Sequence, residues 1–348
     1  MEGWVVRDTG SPWDVFDWSQ APEPSHEAMR ELTVDIVGLR PRQADEPPLS
    51  SYVFIDVLAA ALATPDITMA TGEYPVPILR PYVSGQEAVG IVVDTSPDLA
   101  QWMGKRAMGF TPQPFGSFAA KSVLMPPVLY EVPPELSDEE AAGFVIPAHT
   151  AYHAVHRRGN VQPGETVLVL GAAGGVPSSA LQLCAAAGCH VIAVAGGSEK
   201  VAFCKSLGAN LVIDHTQEDF VAAILRETGA SAVDAIIDFV QGEPGQRARP
   251  LLAVEGRHVL AGHAGGLLPI HPNEFYLQNW TLVGTCMGNG YGLKGVELEE
   301  VAHAHVRGLL SEGRYRATTT RVIQMDEVPE ALRDIRERRT LGRVIARR

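Results

Sequence analysis

Several groups of residues have types and spacings that bear on chemistry. The run "TVLVLGAAGGVPSSALQLCAAAG" from Thr166 sets Gly171, Gly174 and Gly175 between a strand-like and a helix-like stretch. Glycines there permit a tight turn and bring backbone N–H groups close to a pyrophosphate, which the head of the following helix attracts. Pro177 stands where that pattern wants its last glycine. In the first turn of a helix its missing N–H costs little and its fixed φ suits a helix start. The phosphate donors are then the N–H groups of Gly175 and Val176, and the expected loss is the close helix–strand approach that glycine allows. A tight turn without a ligand is the competing reading.

The next strand-like run, "HVIAVA", is followed by Gly196, Gly197 and Ser198, with no carboxylate until Glu199. A site for NAD wants an acid at that strand end to bind the ribose 2′-hydroxyl. The missing acid, together with the charge of Lys200, favours the 2′-phosphate of NADPH. The plain alternative for Lys200 is an exposed helix lysine. In "HTAYHAVH", His149, His153 and His156 fall at i, i+4 and i+7, near one helix face and within reach of a shared metal. No HExxH carboxylate accompanies them, so an ordinary helix is the stronger reading and no metal site is assigned.

Cys184, Cys189, Cys204 and Cys286 form no CxxC pair. They read as reduced, mostly buried thiols of a cytoplasmic protein, with no zinc lobe. Asp238 reads as a strand-end cap for the next loop, and Trp280, Phe275 and Tyr276 as core. The spacing of His303 and His305 carries no catalytic pattern.

The elements that must position these residues fall into two kinds. To about residue 130, runs such as "SYVFIDVLAAAL", "AVGIVVDT" and "SFAAKSVLM" predict short strands of a β-rich domain, and "MEGWVVRDTG" predicts another at the start. From Thr166, "TVLVL", "HVIAVA", "NLVID", "AVDAIIDF", "GRHVLAG" and "TLVGT" recur, most at intervals of roughly 15 to 20 residues, as parallel strands joined by helical crossovers do. After Thr285 a helix and a closing strand, "TLGRVIA", follow. The fold class is therefore α/β: a doubly wound parallel sheet inserted in a β-rich domain built from both chain ends. "RPRQADEPPLSS" reads as a surface loop, and the basic run "RDIRERRTLGRVIARR" as a solvated helix face followed by a strand.

The 348 residues suit one large or two moderate domains. With 46% hydrophobic and 20% charged residues the chain is globular rather than disordered. A net charge of −13 argues against nucleic-acid and anionic-membrane surfaces. Neither a signal peptide nor a transmembrane run is evident.

Over nearly its whole length the chain resembles the zinc-independent quinone oxidoreductase branch of the medium-chain dehydrogenase/reductase superfamily. "PYVSGQEAVGIVV", "PAHTAYHAV", "QPGETVLVLGAAGGV", "SLGANLVIDH" and "TLGRVIA" carry the likeness. The resemblance implies a GroES-like catalytic domain over 1–146 and 286–348 and a Rossmann domain over 147–285, with the nicotinamide held in the cleft between them. By matching segment, Gly174, Gly175 and Val176 meet the pyrophosphate. Ser198, Lys200 and His215 surround the adenosine phosphate; many relatives have tyrosine where His215 stands. Thr150, Val240, Gly262 and His263 line the nicotinamide side. The zinc-ligand positions of metal-dependent relatives fall on Ala63, Gln86 and Ile146, none a credible ligand, although Glu87 lies beside Gln86. The Asn–Tyr pair of enoyl-reducing relatives is replaced by Ala63 and Thr64. Thr64 is the candidate proton donor, against a plain role as a loop residue ahead of Pro65.

A site with neither metal nor a convincing acid suits an acceptor with its own electron sink. The implied activity is NADPH-dependent, metal-free hydride transfer to a quinone or conjugated carbonyl, in a cytoplasmic homodimer. Two alternatives stand: an enoyl or other C=C reductase of a biosynthetic pathway, and a non-redox cyclase, lyase or scaffold on a decayed cofactor fold. Substrate size depends on loops such as residues 41–50 and 286–295.

Overall fold

The computed structural model describes residues 1–32, 50–75, 78–229, 233–287 and 295–348. Of the two loops named for substrate size, residues 41–49 and 288–294 lie outside the described residues. The chain divides into two compact units: Met1–Ile146, Gly288–Val301 and Ala317–Arg348 form the first, Pro147–Met287 and Ala302–Arg316 the second. Residues 302–316, which the sequence groups with the closing strand, pack with the second unit.

In the first unit, β1 (Glu2–Val6), helix α1 (Pro12–Val15), β2 (Phe16–Gln20) and α2 (His26–Arg30) come first. Then follow β3 (Val53–Leu62), α3 (Thr64–Thr71), β4 (Tyr82–Val83), β5 (Glu87–Thr95), β6 (Arg106–Phe110), β7 (Lys121–Leu124), β8 (Leu129–Glu131) and α4 (Asp138–Ala142). Helix α5 (Val145–Tyr152) begins at the boundary.

The second unit runs β9 (Thr166–Leu170), α6 (Gly175–Ala186), β10 (His190–Ala195), α7 (Ser198–Ser206), β11 (Leu211–Asp214) and α8 (Phe220–Thr228). It continues through β12 (Val233–Asp238), α9 (Gly242–Ala248), β13 (Leu252–Leu260), α10 (Pro272–Gln278) and β14 (Thr281–Gly284). The chain ends with α11 (Gly295–Ser311), β15 (Thr319–Gln324), α12 (Val328–Arg336) and β16 (Arg343–Arg347).

β9 to β14 form one sheet in the order β11-β10-β9-β12-β13-β14, every pairing parallel. That is a Rossmann order, in which the strand order reverses between β9 and β12 and a crevice opens beyond the strand ends. Val167, Leu168, Val169 and Leu170 are all buried, which explains why β9 reads as a continuous apolar run: helices cover both faces. Ile192, Ile213, Phe220, Ile236 and Leu251 pack in the same core.

In the first unit β15-β16-β3-β5-β6-β8 form a larger sheet, with β7 also paired to β3, and β2-β1-β4 a smaller one. Val328, Ala331 and Leu332 of α12 seal the core over Val57, Leu62 and Val344. The architecture is the expected α/β one, a doubly wound sheet inserted in a β-rich, GroES-like domain. The basic C-terminal run is a solvated helix face and strand: Arg333 pairs with Glu330, Arg336 with Glu73 and Arg339 with Asp334.

Candidate functional site

Beyond β9 the chain turns sharply because Gly171 adopts φ 65, in the left-handed region. A Cβ there would stand 2.8 Å from Val240 Cγ2, so the turn meets the loop after β12 at the switch point. Ala172 N–H donates to Val194 O at 3.0 Å and Gly174 N–H to Gly171 O at 3.0 Å. Gly174 then caps α6 with an extended backbone and no side-chain hydrogen bond. Gly175 and Val176 are the first two helical residues, whose N–H groups have no intrahelical acceptor.

Pro177 is the third helical residue and is buried, its ring 3.4 Å from where a Gly174 Cβ would be. The proline thus costs one donor that the helix does not use, as Ser178 N–H closes the first turn on Gly174 O at 2.9 Å. The contrast with α8 is informative: there Asp219 accepts from Ala222 N–H and fills the helix head with its own carboxylate. The α6 head has two amides, no capping side chain and glycine at its entrance, features that suit a diphosphate.

At the end of β10, Gly196 and Gly197 turn the chain into α7. Gly197 has φ 92, and a Cβ on Gly196 would lie 2.7 Å from His215 Nε2, so His215 lies over this turn. Ser198 is exposed and Lys200 partly buried on the first turn of α7. Asp214, the last residue of β11, is a further member of this corner that no cofactor-binding motif in the sequence marks. Its Oδ1 accepts from Gly197 N–H at 2.9 Å, Thr216 N–H at 3.0 Å and Thr216 Oγ1 at 2.6 Å. These bonds, the one from Gly197 foremost, hold the carboxyl below its usual range. Asp followed two residues later by Thr is the local signal of such a turn.

Asp238 is the organiser of the loops after β12 and β13. Its Oδ1 accepts from Val240 N–H at 2.8 Å and Gln241 N–H at 2.7 Å, while Oδ2 lies 2.9 Å from His258 Nε2, both side chains fully buried. The expected loop cap is found, with an imidazole behind it. Gln241, at φ 55, donates through Nε2 to Gly262 O at 2.5 Å and accepts from Leu268 N–H at 3.3 Å. Val240 and Gly262 are thereby brought together. His263 sits in the adjoining turn, where its carbonyl accepts from Gly266 N–H at 3.0 Å. Thr150 lies on α5, its Oγ1 3.8 Å from Met287 Sδ.

The three-histidine face does not persist, because α5 passes into a π-helical turn over His153–Arg158 and the side chains splay. His149 Nε2 lies 3.2 Å from His303 Nδ1, and His156 stacks on His305 with ring centroids 4.7 Å apart. Burial first, then the neighbouring His149 and Arg307, pushes His303 down to about 3. Burial and His305 push His156 down to about 4. Among the described residues no group of three or more His, Cys, Asp or Glu side chains is placed to hold a metal ion.

At the positions matched to zinc ligands, Ala63 caps α3 and Gln86 donates to Met69 Sδ at 2.8 Å. The adjoining Glu87 is committed elsewhere: it accepts from Ile146 N–H at 2.9 Å and pairs with Arg343 at 2.8 Å, both side chains buried. Thr64 is the exposed first residue of α3 rather than part of a loop. Two residues on, Asp66 is buried and accepts from Ala63 and Gly85 N–H groups at 2.8 and 3.2 Å.

One expectation is corrected. Tyr276 is not core, being 65% exposed, and Phe275 is only half-buried on α10, which has no buried residue; Trp280, half-buried, does pack against the core. Phe275, Tyr276 and Trp280 line a shallow apolar depression with Ile270, Pro272 and Leu282, beside β14, which among the described strands pairs with β13 alone. Of the cysteines, three are buried and Cys286 is exposed, all as free thiols. No helix of the described residues is long and apolar enough to cross a membrane.

A family model described as zinc-binding dehydrogenase matches residues 175–303. The chain is 28% identical over 322 residues to quinone oxidoreductase-like protein 2 of Bos taurus, covering 92% of this chain and 90% of that one. It is 27% identical over 254 residues to the quinone oxidoreductase of Homo sapiens, covering 73% and 77%. Among solved structures it is similar to the quinone oxidoreductase of Thermus thermophilus, described with its NADPH complex, at TM-score 0.80, 28% identity and full coverage of both chains. The turn at β9, the strand order and these likenesses converge: the chain is similar, over its length, to the quinone oxidoreductase branch of the medium-chain dehydrogenase/reductase superfamily.

Proposed function

We propose that this oxidoreductase uses NADPH to reduce a quinone or a related conjugated carbonyl, and that it does so without a metal ion. The observation that carries the reading is the uncapped head of α6, where the N–H groups of Gly175 and Val176 are left for a diphosphate despite Pro177. Ser198, Lys200 and His215 would hold the adenosine end; Thr150, Val240, Gly262 and His263 would face the nicotinamide. When bound, NADPH supplies the hydride. The chain's part is to fix the loop bearing Val240 through Asp238 and to present donors that need not reorganise.

Metal independence is supported by residue chemistry. Ala63 and Ile146 offer no ligand atom, Gln86 is engaged by Met69, and Glu87 by Arg343. Without a polarising metal, an acceptor that carries its own electron sink is favoured over a simple ketone. Thr64, exposed at the start of α3, is the candidate to relay a proton. A homodimer is supported by the position of β14 at the sheet's edge among the described strands and by the exposed Leu267, Tyr276 and Leu277. The free thiols suit the cytoplasm.

The test is oxidation of NADPH by a panel of quinones and enones, repeated with NADPH deuterated at the transferring carbon. Quinone-dependent oxidation that leaves no deuterium on product carbon is expected. Deuterium retained on carbon, with quinones inert, would replace quinone reduction by alkene reduction.

A further inference from the structure

The N–H of Gly197, the residue that caps α7, is not available to an incoming anion. Gly197 N–H is already taken by Asp214, whose Oδ1 is also held by both donors of Thr216. The side chain is therefore locked in one orientation at the end of β11 and kept ionised, yet it remains partly exposed. It sits on the turn that His215 overlies and from which Ser198 and Lys200 project. The charged and titratable groups at this corner are thus Lys200, His215, Glu199 and Asp214. The lysine's charge is opposed by a carboxylate seated on the N–H of the residue that caps the helix.

We infer that Asp214 is a specificity-determining residue at the adenosine corner: its fixed negative charge opposes a 2′-phosphate and leaves a 2′-hydroxyl untouched. The inference rests on the dinucleotide reading above and adds to it. The protein uses NADH as well as NADPH, and Asp214 is what keeps its preference for the phosphorylated cofactor small. A carboxylate and a phosphate of nearly two charges repel across an exposed corner enough to change affinity about tenfold at low salt.

Asp214→Asn separates charge from geometry, because the amide oxygen still accepts from Gly197 and Thr216. Asp214→Ser serves as a second neutral variant that keeps an acceptor oxygen, with thermal melting confirming that both fold. Calorimetry on the wild type and these variants would use NADPH, NADH, adenosine 2′,5′-bisphosphate and 5′-AMP. The expected result is about tenfold tighter binding of NADPH and the bisphosphate in the neutral variants, with NADH and 5′-AMP within twofold of wild type. If the wild type binds dinucleotides and the variants alter both classes equally, or neither, Asp214 acts only on the turn and the inference is overturned alone. A wild type that binds none of the four at millimolar concentration overturns the dinucleotide reading and this inference together.

Discussion

Acidification should weaken the second unit and not the first, because the two bury titratable groups of opposite sign. His303, buried, and His156, half-buried, are held as neutral imidazoles, at about 3 and about 4, against roughly 6.5 in an unfolded chain. Between those values the unfolded chain binds more protons than the folded one. Their contribution is therefore complete above roughly pH 6.5 and is lost as pH falls below it. From pH 7.5 to 5.0 each histidine costs about 2 kcal/mol, so the pair removes about 4 kcal/mol. At a urea slope of roughly 2 kcal/mol per molar, the midpoint of the second unit falls by about 2 M. In the first unit burial pushes Asp66 up to about 7, so the folded form binds the extra proton and acid favours it. Urea titrations at both pH values, read by hydrogen exchange of peptides from β9–β14 and from β3, β5 and β6, separate the units. The double variant His156→Gln/His303→Gln should flatten the pH dependence of the second unit. An unchanged midpoint for that unit at pH 5.0, or a double variant as acid-sensitive as wild type, would refute the reasoning.

Other outcomes follow from single contacts. Asp238→Ala leaves two loop amides and His258 without their acceptor and should destabilise the second unit by about 3–5 kcal/mol in urea denaturation, as breaking a buried pair does. Glu87→Gln leaves Arg343 buried beside a neutral partner and should cost a similar amount. The double variant Glu87→Leu/Arg343→Met should recover most of it, checked by the same denaturation. Pro177→Gly should leave NADPH affinity within about threefold, since the donors at Gly175 and Val176 are unchanged; a large loss by calorimetry would mean that the ring itself shapes the site.

Much of the fold is legible because its strands announce themselves. All six parallel strands coincide with the apolar runs, since both faces of that sheet are covered and nearly every residue along β9 is apolar. β2 and β15 carry no such signal: in Thr319–Gln324 only Ile323 is buried, and Phe16–Gln20 has no fully buried residue. At the site, the glycine turn and the Asp238 cap are readable because their partners lie within a few residues. Asp214 escapes notice because the amide it holds is 17 residues away, a contact made only when β11 pairs beside β10. The π-helical turn at His153 has no residue-type signature, so the spacing of three histidines suggests a common face that the backbone removes. Tyr276 reads as core only by hydrophobicity, which does not distinguish an edge from an interior.

Whether the first two amides of α6 hold a diphosphate decides the redox assignment. The most direct measurement is the backbone amide spectrum of isotope-labelled protein during titration with NADPH. Saturable shifts largest at Gly175 and Val176, with smaller ones at Gly196 and Ser198, are the predicted result. Amides of Gly175 and Val176 that stay in place to millimolar NADPH would contradict it.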